Sequence, residues 1–149
     1  MSACPPPAAA RRSLTDHVAD KGAELRAKYG PTIGWCELQQ VLLDRSLVRY
    51  PCAIAFTTEG LRDGEFAYPH PQGNTPEEGF VIRVHPHYLT DLQRVPQLVL
   101  YHLVAVNYGD FAAAGDAETF GAAALGLDPE DYYQTICRLA DQLGSCGCT

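Results

Sequence analysis

Residues 97–110, Gln97-Leu98-Val99-Leu100-Tyr101-His102-Leu103-Val104-Ala105-Val106-Asn107-Tyr108-Gly109-Asp110, make a helix-like run that is apolar on nearly every side. A helix that borders water keeps one polar face, so a helix without one belongs at the centre of a domain. Any fold for this chain has to supply amphipathic elements that cover this run. With 149 residues the chain has the usual size of one domain and can bury a full core without disulfide or metal staples.

The covering elements are legible on both sides. Residues 14–29 place Leu14, Val18, Leu25 and Tyr29 on one helical face, with Ser13 or Thr15 as cap and Gly30-Pro31 as terminator. Trp35, Leu38, Val41 and Leu42 repeat that spacing over residues 33–44. Downstream, residues 117–125 follow Asp116 as cap. Residues 129–143 follow Asp128, with Pro129 at the first helical position, Glu130 and Asp131 in the first turn, and Gly144 as terminator. The stripe of that last helix reads Tyr132, Tyr133, Ile136, Ala140 and Leu143.

Between these helices the pattern changes. Residues 51–57 lack a helical stripe and read as a strand buried on both faces, and residues 65–68 pair with it across a polar turn. Pro69, Pro71, Gly73, Asn74, Pro76 and Gly79 read as a loop that hands over to a strand at residues 80–84, which Pro86 ends. The expected class is α+β, a small antiparallel sheet of about three strands with about five helices packed around the buried helix 95–108. Residues 1–12, rich in Pro and Ala, read as a flexible tail, residues 13–144 as one domain, and residues 145–149 as a second flexible tail.

A net charge of -7 argues against unaided binding to nucleic acid or to an anionic membrane. No segment approaches the roughly 18–20 consecutive apolar residues of a membrane span, and the first residues carry prolines where a signal peptide needs an apolar core. The expectation is a cytoplasmic protein. Cys36, Cys52 and Cys137 fall within predicted elements and read as buried, reduced thiols.

Histidines are the candidate chemistry. His85 and His87 flank Pro86 at a strand end, His70 sits in the preceding loop, and His102 lies on the central helix among Leu98, Val99, Ala105 and Val106. Together they supply enough imidazoles for a transition metal such as zinc, provided that the loop folds over the helix. Otherwise His102 is a neutral core histidine and the others are polar rim residues. Asp110, Asp116 and Glu118 follow closely enough to reach back toward His102.

Residues 98–125 resemble the core of gluzincin-type metallopeptidases, in which a buried active-site helix is followed by one that supplies a carboxylate. Asp116-Ala117-Glu118-Thr119-Phe120-Gly121-Ala122-Ala123 is similar to that second helix, and the strand at 80–84 is similar to the edge strand. The resemblance covers about a fifth of the chain and implies an architecture rather than a chemistry. Where the family has H-E-x-x-H, this chain reads Tyr101-His102-Leu103-Val104-Ala105-Val106, with neither the glutamate nor the second histidine that holds and activates a zinc-bound water.

At the C-terminus, Cys146-Gly147-Cys148 places two thiols in a C-x-C that suits a soft metal or thiol exchange. No G-x-S-x-G and no phosphate-binding glycine loop occurs. Tyr68, Tyr88, Tyr101, Tyr108, Tyr132 and Tyr133, six of the eight tyrosines, suit surfaces that are apolar yet wet at one end, including protein interfaces. The reading that best fits these features is a non-catalytic interaction or accessory domain without a cofactor, whose partner is another protein. The alternatives are a metal-binding protein or metal-dependent hydrolase built on His70, His85, His87 and His102, and thiol chemistry at Cys146 and Cys148.

Overall fold

The computed structural model describes residues 7–109 and 112–147, with side chains described over 14–109 and 112–143. It is an α+β fold of five helices and one three-stranded sheet: α1 (Pro7–Tyr29), α2 (Trp35–Leu43), β1 (Cys52–Phe56), β2 (Ala67–Pro71), β3 (Phe80–Val84), α3 (Val95–Tyr108), α4 (Ala114–Leu125) and α5 (Pro129–Gly147). Short 3-10 turns at Pro76–Glu78, Pro86–Thr90 and Leu92–Arg94 carry the chain into and out of β3.

Helix α3 occupies the centre. Leu98, Val99, Leu100 and Leu103 are fully buried, and Val104 and Val106 nearly so. Each neighbour contributes the stripe that its spacing predicts: Val18 and Leu25 from α1; Leu38, Val41 and Leu42 from α2; Tyr132, Ile136 and Leu139 from α5. Along α5 the stripe differs in detail, because Leu139 turns inward while Tyr133 stays 42% exposed. Two phenols then lock α5 in place. Tyr132 donates to the Gln97 carbonyl at 2.6 Å, and Tyr88 donates to the Leu139 carbonyl at 2.6 Å. A buried hydroxyl needs such an acceptor, and a helical carbonyl has a second lone pair that can accept it.

Two helix boundaries move outward. Helical backbone starts at Pro7, so half of the segment expected as a tail is helical, while residues 1–6 lie outside the described ones. Likewise α5 runs past Gly144 to Gly147, through part of the expected C-terminal tail. Helix α4 begins at Ala114 rather than Ala117. Asp116 serves it from the third helical position, accepting from the Ala113 N–H at 3.0 Å, instead of standing ahead of the helix as its cap. Asp128 does cap α5, accepting from the Glu130 N–H at 3.0 Å.

The sheet corrects four expectations. It is mixed rather than antiparallel, with order β1-β3-β2: β1 runs parallel to β3, and β2 antiparallel to it. Consequently residues 65–68 do not pair with β1, and β1 is an edge strand with Ala53 exposed rather than a strand buried on both faces. The central place goes to β3, whose Ile82 and Val84 are fully buried under α3. Pro69 and Pro71, expected in a loop, lie within β2 opposite Ile82 and Phe80. An edge tolerates them because one side of the strand has no ladder partner to lose.

Helices α1 and α4 make the most extensive helix contact. They approach so closely because Gly22 is buried there: a Cβ at that position would lie 2.5 Å from the Phe120 carbonyl oxygen and 2.7 Å from the Ala123 Cβ. Gly115, by contrast, has nothing within 4 Å of its would-be Cβ. Alanine is the better helix former by about 1 kcal/mol, so propensity alone favours both replacements. Packing reverses the sign at Gly22. Gly22→Ala is expected to destabilise by about 1–3 kcal/mol through overpacking, and Gly115→Ala to be neutral or stabilising by up to about 1 kcal/mol. Chemical denaturation of the two variants checks the pair.

Candidate functional site

Between α1, the segment entering β1, β2 and α3 lies an open cleft of about 700 Å3. Its floor is the side of α3 that carries His102, Ala105 and Val106, with Ala105 exposed, and its walls are Tyr50, Tyr68, Phe80 and Tyr108 with Pro69, Pro71 and Pro76. Phe80 packs on Tyr50 with ring centroids 6.2 Å apart, and Tyr68 stands 45% exposed at the rim. A volume of this size falls within the range of ligand pockets, roughly 300–1,000 Å3.

One end of the cleft is polar and tightly built. Asn107 is 7% exposed, and its side chain bonds the connection before β1 at two residues: Nδ2 donates to the Leu47 carbonyl at 2.8 Å, and Oδ1 accepts from the Arg49 N–H at 2.9 Å. Such pairing of both amide ends is what makes a buried Asn tolerable. The Arg49 guanidinium donates to the Asn107 carbonyl at 3.2 Å and lies over the Tyr108 ring at 4.9 Å. That contact uses one N–H of five, and the side chain is exposed. Among the described lining residues Arg49 is the one charged side chain, in a chain whose net charge is -7.

His102 borders the same cleft. Its ring sits 5.3 Å from the Phe66 ring and 5.5 Å from that of Tyr101, and its Nε2 is buried without a hydrogen-bond partner. Burial pushes its pKa down to about 4, so the imidazole is neutral at physiological pH. The expectation of a neutral histidine in apolar surroundings therefore describes it well, although Nε2 lacks the partner that a satisfied core histidine would have.

The four candidate metal ligands do not form a site. Among the described residues no three His, Cys, Asp or Glu side chains come together to hold a metal ion. His85 instead caps the 3-10 turn after β3, its Nδ1 accepting from the His87 N–H at 3.0 Å, and His87 bonds Gln142 through Nε2 at 2.8 Å. His70 lies on β2, while His102 is on α3. Asp116, within reach of His102 by sequence, is turned to the start of α4 and to Thr15, whose hydroxyl it meets at 3.2 Å. Of the C-x-C, Cys146 lies within the helical backbone of α5, and Cys148 lies outside the described residues.

Among the described residues Cys36, Cys52 and Cys137 are free thiols, but Cys36 is exposed on α2 rather than buried. Cys52 is half-buried, and burial pushes its thiol up to about 12. Such a thiol stays protonated and unreactive near neutral pH.

Arg49 and Tyr50 were not among the candidate residues, since nothing in their local spacing distinguishes them from loop residues. Asn107 did carry a signal: an amide inside an otherwise apolar helix has to find partners, and its partners are the residues that shape the cleft.

The His102 environment sets a pH dependence. The unfolded chain binds a proton at His102 near pH 6.5 and the folded chain only near pH 4, so the unfolded state binds more protons in between. Stability is thus full above about pH 6.5 and falls as pH drops toward 4, by on the order of 2–3 kcal/mol. His102→Gln is expected to flatten this slope in denaturation measured across the window. Asp44 is held well below the usual carboxylate range, chiefly by its hydrogen bond with Lys28, so its contribution is lost at lower pH and leaves the window to His102. An unchanged slope in the variant would reject the assignment.

No protein-family model, no curated protein and no solved structure matches this chain, so the functional argument stands on the residues of the cleft.

Proposed function

We propose that this chain is a non-catalytic interaction domain that receives a segment of a partner protein in the cleft over α3. The observation that carries the reading is the composition of the wall: tyrosine, phenylalanine and proline around one guanidinium, with no Ser, Thr, Cys, Asp or Glu among the described lining residues. Tyrosine and arginine are the residues that dominate binding at protein interfaces, because each buries a large surface with few rotatable bonds per contact and keeps a polar end. His102, neutral and without a partner acid in the wall, adds an uncharged surface rather than a proton shuttle.

The chemistry of the wall defines the occupant. An apolar or aromatic side chain fits between the rings, and a carboxylate beside it meets the free fork of Arg49. Because Tyr68 remains open to solvent, the ligand is covered below and free above, as a side chain anchored in a larger partner would be. In this reading the gluzincin-like segment 98–125 is scaffold, and the free thiols of Cys36, Cys52 and Cys137 accord with a cytoplasmic setting.

Panning a random peptide display library on the wild type and on Ala105→Arg tests the proposal. Ala105 is exposed on the cleft floor, so arginine there fills the cleft without touching the core. The expected result is an enriched family with an aromatic residue next to Asp or Glu that binds the wild type and loses at least about tenfold in affinity for the variant, roughly 1.4 kcal/mol. Enriched peptides that bind both proteins alike would overturn it.

A further inference from the structure

The two edges of the sheet are built differently. The β2–β3 pairing, with Gln72 N–H bonded to the Gly79 carbonyl and His85 N–H to the Phe66 carbonyl, turns residues 66, 68, 70 and 72 toward β3. Residues 67, 69 and 71 therefore face outward, and two of these are Pro69 and Pro71, which have no N–H to offer. This edge is closed to a further strand.

The β1 edge is open. Phe80 N–H bonds the Pro51 carbonyl and Thr57 N–H bonds the Val84 carbonyl, so residues 51, 53, 55 and 57 face β3. The backbone N–H and C=O groups of Cys52, Ile54 and Phe56 point away from the sheet, and among the described residues no hydrogen bond takes them up. None of the usual guards is present: the strand Cys52-Ala53-Ile54-Ala55-Phe56 carries no charge, no proline and no bulge. Alongside it runs a groove of about 340 Å3 shared with α2, lined by Trp35 and by Leu43, which is 77% exposed.

We propose that β1 pairs antiparallel with β1 of a second copy, about a two-fold axis at Ile54, joining the two sheets into one. Three features select a second copy as the occupant. First, the outward groups at 52, 54 and 56 are symmetric about Ile54, so two copies match donor to acceptor: Ile54 with Ile54, and Cys52 with Phe56. Second, an uncharged strand meets its own image without local repulsion, and each Leu43 gains cover beside the seam. Third, the opposite edge is closed by its prolines, so assembly stops at two copies instead of growing into a fibre. The lining of the cleft includes none of the paired residues 52–56, so this inference and the binding reading are tested separately.

Five paired residues and one exposed leucine make a small interface, so the dimer is expected to dissociate on the order of 1–100 µM. Sedimentation of the full chain across that range reads the mass, and amide exchange reads the strand. The wild type is expected to pass from monomer to dimer, with the Cys52, Ile54 and Phe56 amides gaining protection as concentration rises. Ile54→Pro removes one outward N–H while the ladder to β3, which uses residues 53 and 55, remains; it should weaken dimerisation at least about tenfold. Ala53→Lys, which places a charge on an exposed position, should do the same with the fold demonstrably intact by circular dichroism. A chain that stays monomeric at the highest concentration, or variants that dimerise like the wild type, would overturn the proposal.

Discussion

The burial of α3 is the constraint from which the rest of the architecture follows. A helix with apolar side chains on almost every face requires neighbours around it, and the sheet, α2, α4 and α5 take those places. The same burial calls for partners to the polar groups on α3, which some of them find while Gln97 Oε1 and His102 Nε2 do not. The Gln97 carbonyl is met by the Tyr132 hydroxyl, and the two ends of the Asn107 amide are met by Leu47 and Arg49. These bonds are how the core dictates the path of surface segments. Net hydrogen-bond energies are only about 1 kcal/mol each, whereas leaving such a group buried and unpaired costs about 1–3 kcal/mol. The asymmetry makes the partner's position, rather than the added stability, the main outcome.

Much of the fold was legible in the sequence because it rests on local periodicity. The stripes Val18-Leu25, Leu38-Val41-Leu42 and Tyr132-Ile136 appear where 3.6-residue spacing puts them, and the α+β class follows from them. What was not legible depends on pairing between distant segments. Strand order is one case: β3 lies between β1 and β2 because Ile82 and Val84 belong under α3, a fact about tertiary cover that no local pattern records. The site is another. His102 could be recognised as a neutral histidine from its apolar neighbours, but four histidines scattered along a chain give no distance between their rings. Arg49 became part of a site only through Asn107, 58 residues away.

The prolines of β2 tie the sheet to the cleft. As loop residues they would be ordinary punctuation; within an edge strand, Pro69 and Pro71 close one border of the sheet and also form part of the cleft wall beside it. A ligand at this border must then be recognised by side chains, since the backbone has little to offer it. The β1 border is the reverse: it has backbone groups to offer and few distinguishing side chains. One border of the sheet thus offers side chains and the other offers backbone groups.

The geometry of the cleft is held from far away. Gly22 allows α1 to rest directly on the backbone of α4, which fixes the line of α1 and hence the place of His17 and Leu14. The His17 ring meets the Tyr108 ring edge-on at 5.5 Å, and Tyr108 in turn supports the Arg49 guanidinium. A cation stacked on a ring that is itself held from behind loses little further freedom when it meets an anion, so its fork is pre-set for a carboxylate. The packing of α1 on α4 thereby bears on how well the cleft's single cation is aimed.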